Sequence, residues 1–156
     1  MFDLTGKTAL VTGATGGIGE AIATALHRQG ATVAITGRRE AELVRVAEAL
    51  GGARVIVAPA DLSDPAAPAA LVEKIETEAG GLDILVNNAG ITRDMLALRM
   101  GDADWNAVLE VDLTAPFRLA RAALRGMMKK RSGRIVAIAS IVGGTGNAGQ
   151  ANHSAA

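Results

Sequence analysis

Thr8-Ala9-Leu10-Val11-Thr12-Gly13-Ala14-Thr15-Gly16-Gly17-Ile18-Gly19 is the stretch on which the fold turns. Thr8 to Val11 is a short apolar run that reads as a buried strand, and the glycines after it read as a turn opening into a helix near Ile18. Strand, glycine turn and helix in that order present free backbone N–H groups and the positive end of a helix dipole to a phosphate. Gly13 allows the sharp exit from the strand, Gly17 a close approach to a pyrophosphate, and Gly19 close packing of the helix on the sheet. The spacing is T-G-x-x-x-G-I-G, not G-x-G-x-x-G.

Outward from this turn the chain alternates. Ile18, Ile22, Ala25 and Leu26 recur at helical spacing, with Gly30 as a C-terminal cap. Ala31 to Thr36 reads as a second strand, followed by Gly37, Arg38 and Arg39. Leu43, Val46, Ala47 and Leu50 mark an amphipathic helix closed by Gly51-Gly52. A third strand is expected over Arg54 to Ala60. Ser63 or Asp64 should cap the next helix, with Pro65 in its first turn and Leu71, Val72, Ile75 and Ala79 on its buried face. Ile84 to Val86 reads as a fourth strand running into Asn87-Asn88-Ala89-Gly90. Asp102 is expected to cap a long helical region that carries Trp105, Val108, Leu109, Phe117 and Leu124 and bends near Pro116. Arg134 to Ser140 reads as a fifth strand, a loop covers Gly143 to Gly149, and a sixth helix begins around Gln150 to His153.

This alternation predicts a single α/β domain over residues 1–156, a doubly wound parallel sheet of five strands in the order 3-2-1-4-5. The chain has 156 residues, enough for one substantial core, with 49% hydrophobic and 21% charged residues. A net charge of zero gives no electrostatic support for nucleic-acid or membrane binding. Without cysteine there is no disulfide, thiolate nucleophile or zinc cluster, and no metal site is expected. Neither a signal-peptide layout at the start nor an apolar run of roughly 20 residues is present, so a cytoplasmic location is expected. Two histidines and no tyrosine limit the proton donors.

The glycine turn, Asn87-Asn88-Ala89-Gly90 after the fourth strand and a serine at the end of the fifth together resemble the short-chain dehydrogenase/reductase family, with its Rossmann-type fold. Ile91-Thr92-Arg93-Asp94, Met127 to Arg131 and Gly146 to Asn152 resemble more closely its bacterial 3-oxoacyl-acyl-carrier-protein reductases, the ketoreductases of fatty-acid elongation. The resemblance implies an NADP(H) site with Gly13, Ala14, Thr15, Gly16 and Ile18 at the pyrophosphate, Asp61 and Leu62 at the adenine, and Asn88, Ala89 and Gly90 where the fourth strand meets the cofactor. The residues themselves speak to NADP over NAD. A ribose-binding carboxylate belongs about 20 residues past the first glycine, where this chain has Thr36-Gly37-Arg38. Arg38 suits a 2′-phosphate through charge-assisted bonds.

The family protonates its substrate with a tyrosine that a lysine activates, while a serine orients the carbonyl and an asparagine holds a water. Ser140 matches the serine. Asp112 stands in the asparagine's place, and a buried carboxylate there costs several kcal/mol unless paired. His153 stands in the tyrosine's place, and the lysine position would follow Ala156. An imidazole can donate a proton, but it is shorter than a phenol, and His153 is expected to be solvated with nothing to direct it. His27 reads as surface. The resemblance therefore implies a truncated reductase of impaired turnover, with a catalytically silent nucleotide-binding module or a non-functional fragment as the alternatives. The fifth strand would be an exposed sheet edge, which puts the family's homo-oligomer in doubt here. Arg131 matches a carrier-protein contact, so the implied partner is a 3-oxoacyl thioester on its carrier.

Overall fold

The computed structural model describes residues 2–156. Five parallel strands, β1 (Thr8–Thr12), β2 (Thr32–Thr36), β3 (Val55–Val57), β4 (Ile84–Asn87) and β5 (Arg134–Ala137), lie in the order β3-β2-β1-β4-β5. Between them run α1 (Gly17–Arg28), α2 (Glu40–Ala49), α3 (Ala67–Ala79), α4 (Asp102–Leu109) and α5 (Ala115–Lys130). Two short helices, α6 (Val142–Thr145) and α7 (Ala151–Ala155), follow β5. The fold is the Rossmann-type sheet that the alternation of elements implies.

Successive residues of a strand point to opposite faces, and the core divides accordingly. Val11, Val33, Ile35 and Val86 pack with Ala23 of α1 and Leu43 and Val46 of α2 on one face. Leu10, Ala34 and Leu85 pack with Leu71, Val72 and Ile75 of α3 and Leu119, Ala123 and Met127 of α5 on the other. In register, Thr12 lies beside Thr36 and Val11 beside Val86, so the ends of β1, β2 and β4 share one edge of the sheet. Strand order reverses there, between β1 and β4, and a crevice opens at such a point.

Several boundaries differ from the sequence reading, each for a local reason. The third strand is three residues long, not Arg54 to Ala60. Arg54 takes φ +58° and Pro59 has no N–H for a ladder. Ala58 and Ala60 still donate to Ile35 and Gly37 carbonyls at 3.0 and 3.1 Å. The fifth strand stops at Ala137, where its partner β4 also stops, which leaves Ser140 outside it. α3 starts later than Ser63 or Asp64 would have it: Asp64 closes a turn by accepting from Ala66, and Pro68 rather than Pro65 sits in the first turn. Gly101, not Asp102, is the N-terminal cap of α4. The expected loop after Gly143 begins within α6.

The apolar faces also shift. In α1 the buried side is Gly19 and Ala23, flanked by Ile22 and Leu26, while Ile18 is 63% exposed and Ala25 faces solvent. In α5 the buried stripe is Ala115, Leu119, Ala123 and Met127, and Phe117 and Leu124 are exposed. On this face two alanines alternate with Leu119 and Met127. The expected bend near Pro116 is a π-helical segment, Glu110–Thr114, in which the Ala115 N–H reaches back five residues to the Glu110 carbonyl. Pro116 has no N–H to offer the Asp112 carbonyl four residues before it, so the regular ladder cannot continue there. No helix among the described residues is long and apolar enough to cross a membrane.

Candidate functional site

Thr12, the last residue of β1, organises the crevice. Its hydroxyl donates to the Val86 carbonyl at 3.3 Å and accepts the N–H groups of Asn88 and Ala89, both at 2.9 Å. The Asn88 amide in turn donates to the carbonyls of Thr12 and Gly13 at 2.9 and 3.2 Å. The glycine turn and the end of β4 are thereby one hydrogen-bonded unit. Glycine is required at two points in it. Gly13 has φ +64°, and a Cβ there would sit 2.9 Å from the Ala89 Cα. A Cβ on Gly19 would lie 2.2 Å from the Gly13 carbonyl oxygen, which sets how closely α1 can approach the turn.

A cleft of about 910 Å³ opens beside this unit. Of the residues assigned to a cofactor from the sequence, Gly13, Thr15, Arg38, Asp61, Leu62, Asn88, Ala89 and Gly90 line it. Ala14, Gly16 and Ile18 do not. Ala14 is fully buried and its N–H is spent on the Thr36 carbonyl at 3.1 Å, while Gly16 and Ile18 lie at the start of α1, outside the lining. Asp61 sits in the turn after β3, where its Oδ1 accepts both the N–H and the hydroxyl of Ser63, at 3.0 and 2.8 Å. Those bonds, with the charge of Arg38, hold its carboxyl below the usual aspartate range.

The sequence reading assigned no role to several members of the lining, Arg39, Thr36, Ile91 and Arg93 among them. Arg39 donates to the Thr15 hydroxyl at 3.2 Å, so both arginines after β2 border the cleft. Thr36 lines it with a fully buried hydroxyl that has no partner among the described residues. Ile91 and Arg93 extend the wall toward α4. Adjacency to Arg38 was the available signal for Arg39; nothing in the sequence marks Thr36 as unpaired. The donor set suits a phosphorylated dinucleotide: a tight glycine turn before a twelve-residue helix, an unpaired hydroxyl and two guanidiniums.

The three residues matched to catalytic positions lie beyond the cleft lining, and two of them meet. His153 Nδ1 is 3.2 Å from Asp112 Oδ2, with side chains 23% and 9% exposed. Asp112 Oδ1 accepts the Ile91 N–H at 2.8 Å. Burial pushes the Asp112 carboxyl above the usual aspartate range, while the Ile91 N–H and His153 draw it the other way. The imidazole is thus not a solvated, undirected terminal group, and the aspartate is not unpaired. Ser140 is exposed after β5, where its hydroxyl accepts the Val142 N–H at 3.3 Å as α6 begins. His27 is also less free than a surface side chain, with Nε2 2.8 Å from the Ala53 carbonyl. Arg131 ends α5 in a left-handed conformation (φ 51°), and its side chain is exposed.

Comparison with known proteins agrees with this architecture. Residues 7–156 match the short chain dehydrogenase family. Nodulation protein G of Rhizobium sp. (strain N33) is 57% identical over 155 residues, covering 99% of this chain and 63% of that protein. The 3-oxoacyl-acyl-carrier-protein reductase of Escherichia coli (strain K12) is 50% identical over 153 residues, covering 97% and 62%. A crystal structure of a candidate short-chain alcohol dehydrogenase from Sinorhizobium meliloti 1021 superposes with a TM-score of 0.94 at 36% identity, covering 99% and 62%. The chain spans less than two thirds of the length of these relatives.

Proposed function

The chain belongs to the short-chain dehydrogenase family, and on that premise we propose that its cleft holds NADP(H) for reduction of the ketone of a 3-oxoacyl thioester. When bound, the nicotinamide would supply the hydride. Gly13 and Thr15 of the glycine turn would hold the diphosphate, and Asn88 to Gly90 would carry the nicotinamide half across the switch point. One observation carries the choice of cofactor: Arg38 and Arg39 both border the cleft at the end of β2, and no carboxylate precedes them there. A carboxylate would bond a free ribose 2′-hydroxyl; two guanidiniums suit a 2′-phosphate. The substrate class rests on the 50% identity to the carrier-protein reductase. On this reading the exposed Arg131 faces the acidic carrier, whereas neighbouring Lys130 is engaged by Asp83 at 2.9 Å.

Titration followed by nicotinamide fluorescence tests the cofactor. NADPH should bind more tightly than NADH, and R38A/R39A should remove that preference. A charge-assisted bond contributes about 1.5–3 kcal/mol, roughly tenfold to a hundredfold in affinity. Equal affinity for the two nucleotides in the unaltered chain would overturn the NADP reading. The absence of tyrosine favours a second reading, a nucleotide-binding module without turnover. NADPH binding with no consumption in the presence of an acetoacetyl thioester would establish it.

A further inference from the structure

We propose that the groove between α3 and α5 is a second ligand site, for a small phosphate ester that carries free hydroxyls, and that Arg118 and Glu110 couple it to the cleft. The groove encloses about 630 Å³, a volume ordinary for a small-molecule site, and it shares no lining residue with the cleft. Its two walls differ in charge. From α5 come Arg118, Arg121, Arg125 and Lys129. Their spacings of three and four put them on one side of the helix, and those four apart are separated by about 6 Å along it. From α3 come Glu73 and Glu76, with Ala69, Val72 and Ala122 as apolar lining between the charges.

Opposite charges face one another here without closing. Among the described residues Arg121, Arg125, Lys129, Glu73 and Glu76 form no ion pair, although they line the same groove. Two contacts hold the walls apart. Arg121 lies over the Phe117 ring, 5.2 Å from its centre. Glu76 is lodged against the backbone of α5 at Gly126, where a Cβ would collide with its Oε1. A ligand that bridges the walls must offer acceptors to α5 and donors to α3. Phosphate oxygens accept from guanidinium and ammonium groups, and carboxylates accept from hydroxyls. A phosphorylated polyol meets both walls, whereas a bare anion meets only one.

Arg118 joins the two cavities. It lines the groove, and its guanidinium donates to the carboxylate of Glu110, which lines the cleft beside Ala107 and Val111. The two side chains are only 24% and 28% exposed, so the pair is better shielded than the free cations along the groove. A phosphate in the groove competes with Glu110 for the Arg118 donors and leaves that carboxylate less neutralised at the cleft wall. An anionic dinucleotide then binds less tightly, and by linkage the dinucleotide weakens the groove ligand by the same factor. The site stands on the groove alone; the effect on the cleft rests on the cofactor reading above.

Fructose 1,6-bisphosphate is the probe, and inorganic pyrophosphate, which has no sugar hydroxyl, is the comparator. Both are titrated into the whole chain and followed by proton–nitrogen NMR of the arginine Nε–H groups, assigned by single substitutions. The bisphosphate should shift Arg118, Arg121 and Arg125 and bind more tightly than pyrophosphate. R121A/R125A/K129A should weaken it about tenfold, the scale of three exposed charge contacts. E73Q/E76Q should erase the preference over pyrophosphate, and E110Q, which frees Arg118, should tighten the bisphosphate. Saturating bisphosphate should raise the NADPH Kd about fivefold, the low end of ordinary coupling, and E110Q and the triple variant should show no such rise. Unmoved arginine signals, or binding that survives the triple variant, would overturn the site. Equal affinity for the two probes would overturn the ligand class, and a rise in NADPH Kd that persists in E110Q would overturn the coupling. Absence of NADPH binding would count against the cofactor reading instead; the arginine signals would still decide the site, and the E110Q titration the link through Arg118.

Discussion

Asp83 does more for the sheet than its place before β4 suggests. Its Oδ2 accepts the Thr8 N–H and its Oδ1 the Lys130 ammonium, both at 2.9 Å, so one carboxylate ties the start of β1 to the end of α5. Burial alone would raise its pKa, but these two donors outweigh it and hold the carboxyl below the ordinary aspartate value. A carboxyl depressed in the folded state stabilises it fully above the ordinary range, near 3.9, and that contribution is lost as pH falls through the lower folded value. D83N should therefore cost about 1–3 kcal/mol near neutral pH, with the gap in urea midpoints closing as the pH falls below the ordinary aspartate range. A gap that stays constant down to acid would assign the effect to packing instead. Side-chain partnerships of this kind were the least legible part of the sequence. Asp112 and His153 could each be placed by motif register, but their meeting depends on how α4, the π-helical segment and α7 stack, and no local pattern encodes that.

The elements themselves were mostly legible, because strand and helix periods differ and glycine marks the ends. The β1 turn, β2, β4 and the strand order followed from those signals alone. What escaped was set by partners: β5 ends at Ala137 because β4 has run out, and the face of α5 includes Ala115 and Ala123, which a search for large apolar residues passes over. The π-helical segment escaped for a related reason, since Pro116 signals a break without specifying its form. That segment makes one residue locally surplus to a regular helix. Deleting Leu113, which is 49% exposed, should remove the surplus residue while α4 and α5 keep their faces, because five π-helical residues and four α-helical ones turn through nearly the same angle. Val108 and Ala115, both fully buried, should stay on the core. The expected change in urea stability is under about 1 kcal/mol, and emission from Trp105, the single tryptophan, should not move. A loss of order 3 kcal/mol, comparable with removing a buried side chain, would contradict this account.

At the scale of the whole molecule the two sides of the sheet's switch point are unequal. β1 and β2 are buried almost throughout, whereas every residue of β5 is exposed, with Ile135 and Val136 at 41% and 44%. An apolar edge with free backbone groups pairs readily with another chain. The chain of this sequence should associate with rising concentration in sedimentation runs, and V136K should reduce that association by placing a charge on the edge. A single monomeric species across the concentration range would refute it. The interlock of Gly13, Gly19, Thr12 and Asn88 has the opposite character, since its atoms are already at contact distance and its amides already bonded. On the proposed reading a nucleotide arriving there would meet a cradle that needs no rearrangement, so little ordering entropy would oppose its capture. The rigidity that rules out a methyl group at Gly19 thus also preorganises the docking place.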